Sequence, residues 1–118
     1  MHRRDSDHHG LRIQHTLYPA AYLLRLTGDT PPTGHELAAT FHHAAEWELP
    51  LIVDLSALGF GDEELLRHLL HAHRAGLTLI GPISDSFQRR LDTTGVTDLF
   101  TIRPTLDAAL DSPGHPRR

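Results

Sequence analysis

The sequence predicts an α/β domain with a mixed, mostly parallel sheet of about five strands and about four helices. Two short apolar runs, LIVDL from residue 51 and LTLI from residue 77, have the pattern of strands buried on both faces. Segments with helical spacing of apolar residues follow both runs, and this alternation calls for right-handed parallel crossovers. Two adjacent strand-like segments open the domain, and their hairpin makes the sheet mixed.

The first half of the domain contains this hairpin and one helix. LRIQHTLY, from Leu11, alternates apolar and polar residues, and AYLLRLTG alternates in the same way after a turn at Pro-Ala. DTPPTG then interrupts the chain, and Thr33 with Glu36 matches a capping box. Apolar residues at helical spacing predict a helix over residues 34–48, with Trp47 in the core or at its edge.

The second half alternates helices with the remaining strands. Residues 62–75 predict a helix with a leucine-rich face, and the acids at its start favour the positive end of the helix dipole. A third helix opens at Ser84 or Asp85. The segment at 98–102, DLFTI, predicts a short edge strand, and Pro104 suits the first position of a last short helix. The expected order is β-β-α-β-α-β-α-β-α.

Composition bounds the class of protein. Residues 1–10 and 112–118 are polar and lack periodicity, so we expect a disordered N-terminal arm and a flexible C-terminal tail around a domain at 11–111. A formal net charge of −4 gives no basic footprint for nucleic acid. No apolar run reaches the roughly 20 residues of a membrane span. With no cysteine in the chain, these features suit a cytoplasmic protein.

Histidines and enzyme motifs are the other candidates for chemistry. The chain has 11 histidines, but the pairs His71–His73 and His42–His43 lack the i, i+4 spacing of helical metal sites. His68 with His71 could bind a metal weakly, and solvated histidines are the simpler interpretation. There is no G-x-S-x-G elbow and no Gly-rich phosphate loop. We therefore expect no enzyme activity, no cofactor, no metal site and no small-molecule substrate.

Four stretches form a combined pattern along the chain. They read LRLTGD, LIVDLSALGFGD, LLRHLLHAHRAGLTLIG and RRLDTTGVTDLFTIRPTLDAAL. In order and spacing they resemble the STAS domain family, named for sulfate transporters and anti-sigma factor antagonists, over residues 11–110. The resemblance implies a sheet with helices packed mainly on one face, and a protein that binds partners without catalysis. In the bacterial regulatory branch, an antagonist binds an anti-sigma factor, often a serine kinase, and phosphorylation of a serine stops that binding.

The phosphorylation motif of this family, D-S-[ST]-G-L, is altered here. Asp62 and Leu66 match it, whereas Glu63 occupies the serine position, Glu64 the next hydroxyl position and Leu65 the glycine position. Neither glutamate can accept a phosphate. The resemblance thus implies an anti-sigma factor antagonist in bacterial transcription regulation without a working serine switch. The expected partner-binding residues are Asp29, Asp62, Glu63, Glu64 and Leu65.

Two interpretations of the acidic helix start and two of the function stay open. The acids can be simply a cap and favourable charges at the helix dipole. Alternatively, Glu63 imitates a phosphoserine in part, with a single charge and fewer acceptor atoms. The expected partner is an anti-sigma factor, such as a serine kinase, or another STAS-domain protein. The alternative function is a structural or scaffolding domain that binds other STAS or sensor proteins and no anti-sigma factor.

Overall fold

The order of strands and helices predicted from the sequence is confirmed in a computed structural model, which describes residues 11–28, 36–59, 61 and 63–111. The tails at 1–10 and 112–118 and the capping residue Thr33 lie outside the described residues. The strands are β1 (Leu11–Leu17), β2 (Tyr22–Gly28), β3 (Leu51–Leu58), β4 (Leu77–Ile80) and β5 (Thr101–Arg103). The helices are α1 (Glu36–Ala45), α2 (Glu63–His73), α3 (Asp85–Thr94) and α4 (Leu106–Asp111).

The five strands form one sheet in the order β1-β2-β3-β4-β5. β1 and β2 are antiparallel, with Ile13 opposite Leu26, and the pairs from β2 to β5 are all parallel. The sheet is therefore mixed and mostly parallel, as expected. All of β4 and the first five residues of β3 are buried, which confirms these two apolar runs as the inner strands.

The strand side chains alternate between two apolar clusters, one on each face of the sheet. The larger cluster joins strand residues such as Leu24, Val53 and Leu79 to the buried faces of α1, α2 and α3. The smaller cluster lies beneath α4 and consists of Ala21, Leu23, Ile52, Ile80 and Ala109. Three of the four helices thus share one face, in agreement with the packing that the resemblance implies.

The end of α1 differs from the prediction. The helix stops at Ala45 instead of continuing to residue 48, because the amides of residues 46–48 bond to carbonyls three residues back and tighten the last turn. Glu48 takes a left-handed φ of 55°. Since the chain has already left the helix, Trp47 is 45% exposed and stacks on Tyr22, with the ring centroids 6.0 Å apart. The expectation that Trp47 lies in the core or at its edge was wrong.

The segment around β5 also departs from the prediction. Asp98 and Leu99 belong to a single 3-10 turn, and the strand begins only at Thr101. Pro104 does not begin the last helix. Thr105 precedes it instead, and its hydroxyl accepts a hydrogen bond from the Ala108 amide at 3.1 Å. A threonine can satisfy an unpaired amide in this way, whereas a proline has no side-chain acceptor.

Candidate partner-binding site

The carboxyl ends of the parallel strands β2 to β5 meet at one edge of the sheet, where ligands of open α/β sheets commonly bind. The Gly59 amide donates a hydrogen bond to the Gly28 carbonyl at 2.7 Å. This bond joins the end of β2 to the end of β3. The chain then runs from Gly59 into α2. Two of the predicted site residues, Asp29 and Asp62, lie outside the described residues.

The start of α2 rests on α3. A Cβ atom added to Gly61 would lie 2.2 Å from the side chain of Phe87, so only glycine fits without a shift. Arg90 Nε donates to the Gly61 carbonyl at 3.2 Å. α3 is fixed in turn by Ser84, whose hydroxyl accepts from the Phe87 amide at 3.3 Å. The sequence prediction that a helix opens at Ser84 or Asp85 is therefore confirmed, since the helix begins at Asp85 and Ser84 caps it.

Glu63 and Glu64 occupy the first turn of α2 but have different surroundings. Glu63 is exposed. The side chain of Glu64 is 35% exposed, and its Oε2 lies 3.7 Å from His68 Nε2, one turn further along the helix. Both carboxylates are near the positive end of the helix dipole, and this favourable interaction stabilises the helix. Of these two acids, Glu63 is thus the more accessible at the surface.

Leu65 lies in the hydrophobic core rather than at the surface. It is 0% exposed and belongs, with Leu66 and Leu69, to the buried face of α2. A fully buried side chain offers no surface to a partner, so we remove Leu65 from the candidate contacts. The expectation that Leu65 contacts a partner is corrected accordingly, because α2 directs this side chain into the core.

The histidines of the helices are distributed among separate contacts. His42 and His43 each have a ring nitrogen just under 4.0 Å from a carboxylate oxygen of Glu46. His68 stacks on Phe41, with the ring centroids 5.4 Å apart. Within the described ranges, no three histidine, aspartate or glutamate side chains are grouped so that they could hold a metal ion. Among the described residues, no helix is both long and apolar enough to span a membrane.

A buried carboxylate on the α4 side of the sheet was not singled out by the sequence analysis. Asp54 in β3 is 6% exposed, and its Oδ2 accepts a hydrogen bond from Arg25 Nε of β2 at 2.9 Å. Its Oδ1 accepts from the Ser56 amide at 3.0 Å and from the Ser56 hydroxyl at 2.7 Å. A buried charge needs such partners. The only sequence signal was a single acid inside an apolar strand.

Comparison with solved structures gives the fold a wider context. The chain superposes on an anti-sigma factor antagonist from Mycobacterium paratuberculosis with a TM-score of 0.71 and 22% sequence identity, over 86% of this chain and 92% of that chain. The chain has the STAS fold of the anti-sigma factor antagonists. The anti-sigma factor antagonist SpoIIAA in its unphosphorylated form gives a TM-score of 0.70 and 16% identity, over 85% and 94% of the two chains.

At these identities, the likeness concerns the STAS fold alone. No protein-family model matches the sequence, and no curated protein matches it. The expectations for the fold class are confirmed by both superpositions. The partner and the site residues remain predictions.

Proposed function

We propose that this domain is an anti-sigma factor antagonist-like protein that acts in bacterial transcription regulation by binding a protein partner in the cytoplasm. The observation that supports this most is the STAS fold shared with two anti-sigma factor antagonists. The exposed start of α2, at the loop-bearing edge of the sheet, provides a surface for such binding. Binding of this kind needs no catalytic residue, cofactor or metal.

In our proposal, Glu63 replaces the serine whose phosphorylation regulates binding in the antagonist family, so this protein lacks that switch. Its carboxylate is exposed in the first turn of α2, at the position that the resemblance gives to the phosphorylated serine. A carboxylate has no hydroxyl to accept a phosphoryl group. It carries a single charge where phosphoserine carries about two, so it imitates the phosphorylated state in part. We expect this charge to weaken binding to a kinase-type anti-sigma factor that prefers a neutral hydroxyl.

The test measures, by calorimetry, the affinity of the purified protein for each anti-sigma factor and each other STAS-domain protein encoded in its own genome. Glu63→Ser should tighten binding to the cognate factor by about tenfold, or about 1.4 kcal/mol. Asp107→Ser is the matched control. Asp107 is also an exposed acid in the first turn of a helix, but α4 lies on the other face of the sheet.

Each outcome of this experiment separates the candidate functions. Equal tightening by both variants would assign the effect to net charge and contradict a contact at Glu63. Binding to other STAS proteins, together with no binding to any anti-sigma factor, would overturn the proposal in favour of the scaffolding alternative. An affinity that Glu63→Ser leaves unchanged would show that α2 begins with a helix cap and nothing more.

A further inference from the structure

A cleft lies between α1 and the C-terminal half of α2. Its volume is about 510 Å³. Leu51, the first residue of β3, and Gly76, which precedes β4, both line it. The cleft is therefore at the amino ends of the parallel strands, whereas the candidate partner-binding site is at their carboxyl ends. The two sites can be tested independently.

Small side chains keep this cleft open. Alanines from both helices and from the turn after α2 line it, at positions 38, 44, 45, 72 and 75. The aromatic ring of Phe41 adds an apolar surface, with His68 stacked nearly parallel to it at an angle of 7°. A cleft of roughly 300–1,000 Å³ with mostly apolar walls and a few polar groups is typical of a small-molecule site.

The charges at the cleft favour a cation. Among the described residues that line it, Glu48 is the only aspartate, glutamate, lysine or arginine, and the other ionisable side chains are three histidines, His42, His68 and His71. The chain segments that directly follow α1 and α2 both border the cleft, so the carboxyl ends of both helices are near it. Each helix end carries a partial negative charge of about half an elementary charge. Glu48 and the end of α1 belong to one segment of the chain, and the end of α2 belongs to another.

The backbone at Glu48 adds a second observation. Its φ of 55° is left-handed, a conformation that glycine adopts freely and that costs a residue with a Cβ atom. A glycine at this position would avoid the backbone cost. Glutamate instead places a carboxylate at the cleft and lowers the stability of the fold somewhat. Such unfavourable conformations concentrate at functional sites.

We propose that this cleft binds a small organic amine with an apolar body. The ammonium group lies by the Glu48 carboxylate and the helix carboxyl ends, and the apolar body packs against Phe41 and the alanines. The ligand is bound and not converted, so no catalytic group is required. This inference does not rest on the proposed function. None of the cleft residues belongs to the first turn of α2, although one of them, His68, lies 3.7 Å from Glu64.

The first test compares three ligands of nearly the same shape and different charge. Phenethylamine, 3-phenylpropionate and 2-phenylethanol are titrated into the full chain by calorimetry near pH 8.5, where histidine side chains are neutral. We expect one site per chain for the amine and at least about fivefold weaker binding of the carboxylate. Equal or tighter binding of the carboxylate would overturn the assignment of charge. The absence of amine binding up to millimolar concentration would overturn the site.

The second test locates the bound amine. Ala45→Leu, at the exposed rim of the cleft, should weaken amine binding by about tenfold or more, because the larger side chain fills the space. Ala39→Leu is the control on the same helix, since Ala39 is exposed and does not line the cleft. Unchanged binding by Ala45→Leu, or equal loss in both variants, would contradict the location.

The third test concerns the carboxylate itself. Glu48→Gln should weaken the amine by roughly two- to fivefold, as expected for a solvent-accessible ion pair, and should leave 2-phenylethanol unaffected. Asp107→Asn, a charge change on the opposite face of the sheet, should alter neither ligand. If Glu48→Gln weakens the amine and the alcohol alike, Glu48 shapes the cleft without pairing with the ammonium group, and the proposal fails.

Discussion

Restoring the family motif at the start of α2 should be limited by Leu65 and not by the two glutamates. Leu65 is fully buried in the larger cluster. Truncating a buried leucine to alanine destabilises a protein by about 2.7–5.0 kcal/mol, and a glycine in a helix costs about 1 kcal/mol more. Leu65→Gly should therefore lower the free energy of unfolding by about 4–6 kcal/mol. That is a large share of the about 5–15 kcal/mol of a natural domain.

The glutamates contribute far less to stability. Glu63→Ser and Glu64→Ser each remove one favourable contact with the helix dipole, at about 0.3–1 kcal/mol. The double variant should lose about 0.6–2 kcal/mol by simple addition, and it should remain folded. It also introduces hydroxyl groups where the resemblance places them, so it is the variant in which to seek phosphorylation.

Urea unfolding followed by circular dichroism measures these differences. Leu65→Ala separates the lost leucine from the glycine, and Ala39→Gly, at an exposed site within α1, measures the glycine cost alone. The cognate kinase with ATP should then phosphorylate the Glu63→Ser, Glu64→Ser protein and leave the wild-type start of α2 unmodified. A loss below about 1.5 kcal/mol for Leu65→Gly would refute the burial argument, because full burial of a leucine side chain is worth at least about that much.

Three further outcomes follow from the packing. Thr78→Val should raise the free energy of unfolding by about 1 kcal/mol, because the Thr78 hydroxyl is fully buried and has no hydrogen-bond partner among the described residues; an unfolding midpoint in urea that does not rise would contradict this. Gly61→Ala should cost about 1–3 kcal/mol by displacing Phe87. In Gly95→Ala, by contrast, the new Cβ would meet no atom within 4 Å, and any loss would come from the left-handed φ of 75° alone. The pKa of His15 lies below its ordinary 6.5 because burial, and then the nearby His43, disfavour its charged form. The unfolded state therefore binds more protons below about pH 6.5, and stability is lost as the pH falls; His15→Gln should make the melting temperature less dependent on pH in this range, and an unchanged dependence would exclude His15 as a contributor.

The fold could be predicted because its signals are local. The apolar runs that became β3 and β4 are continuous in the sequence, and burial on both faces is the ordinary reason for such runs. Ser84 precedes a helix and can cap it from its own position. The end of α1 was less predictable. Apolar residues at helical spacing do not show where the backbone hydrogen bonds change from the i to i−4 pattern of an α-helix to the i to i−3 pattern of a 3-10 turn. Trp47 followed that pattern in sequence and lies outside the helix in three dimensions.

The candidate site was predicted less well, for two physical reasons. Leu65 carried two conflicting signals: its spacing to Leu69 indicated a buried helix face, while the family motif placed it at a partner surface. In the structure Leu65 is buried, because burying a leucine side chain stabilises the fold more than exposing it at a surface would. The Arg25–Asp54 pair and the alanine-lined cleft depend on segments far apart in sequence. No local pattern reveals which strands or helices will be neighbours.

The two acids at the start of α2 allow an experiment to distinguish a helix start without further role from a partner contact at Glu63. Glu63 and Glu64 share the first turn of one helix, so the dipole affects both in a similar way. They differ in surroundings, because Glu64 is half-buried near His68 whereas Glu63 is exposed. If the acids only begin the helix, Glu63→Ser and Glu64→Ser should have similar effects on stability and no effect on partner binding. A change in affinity confined to Glu63→Ser cannot arise from the helix dipole, and it would identify Glu63 as a contact with the partner.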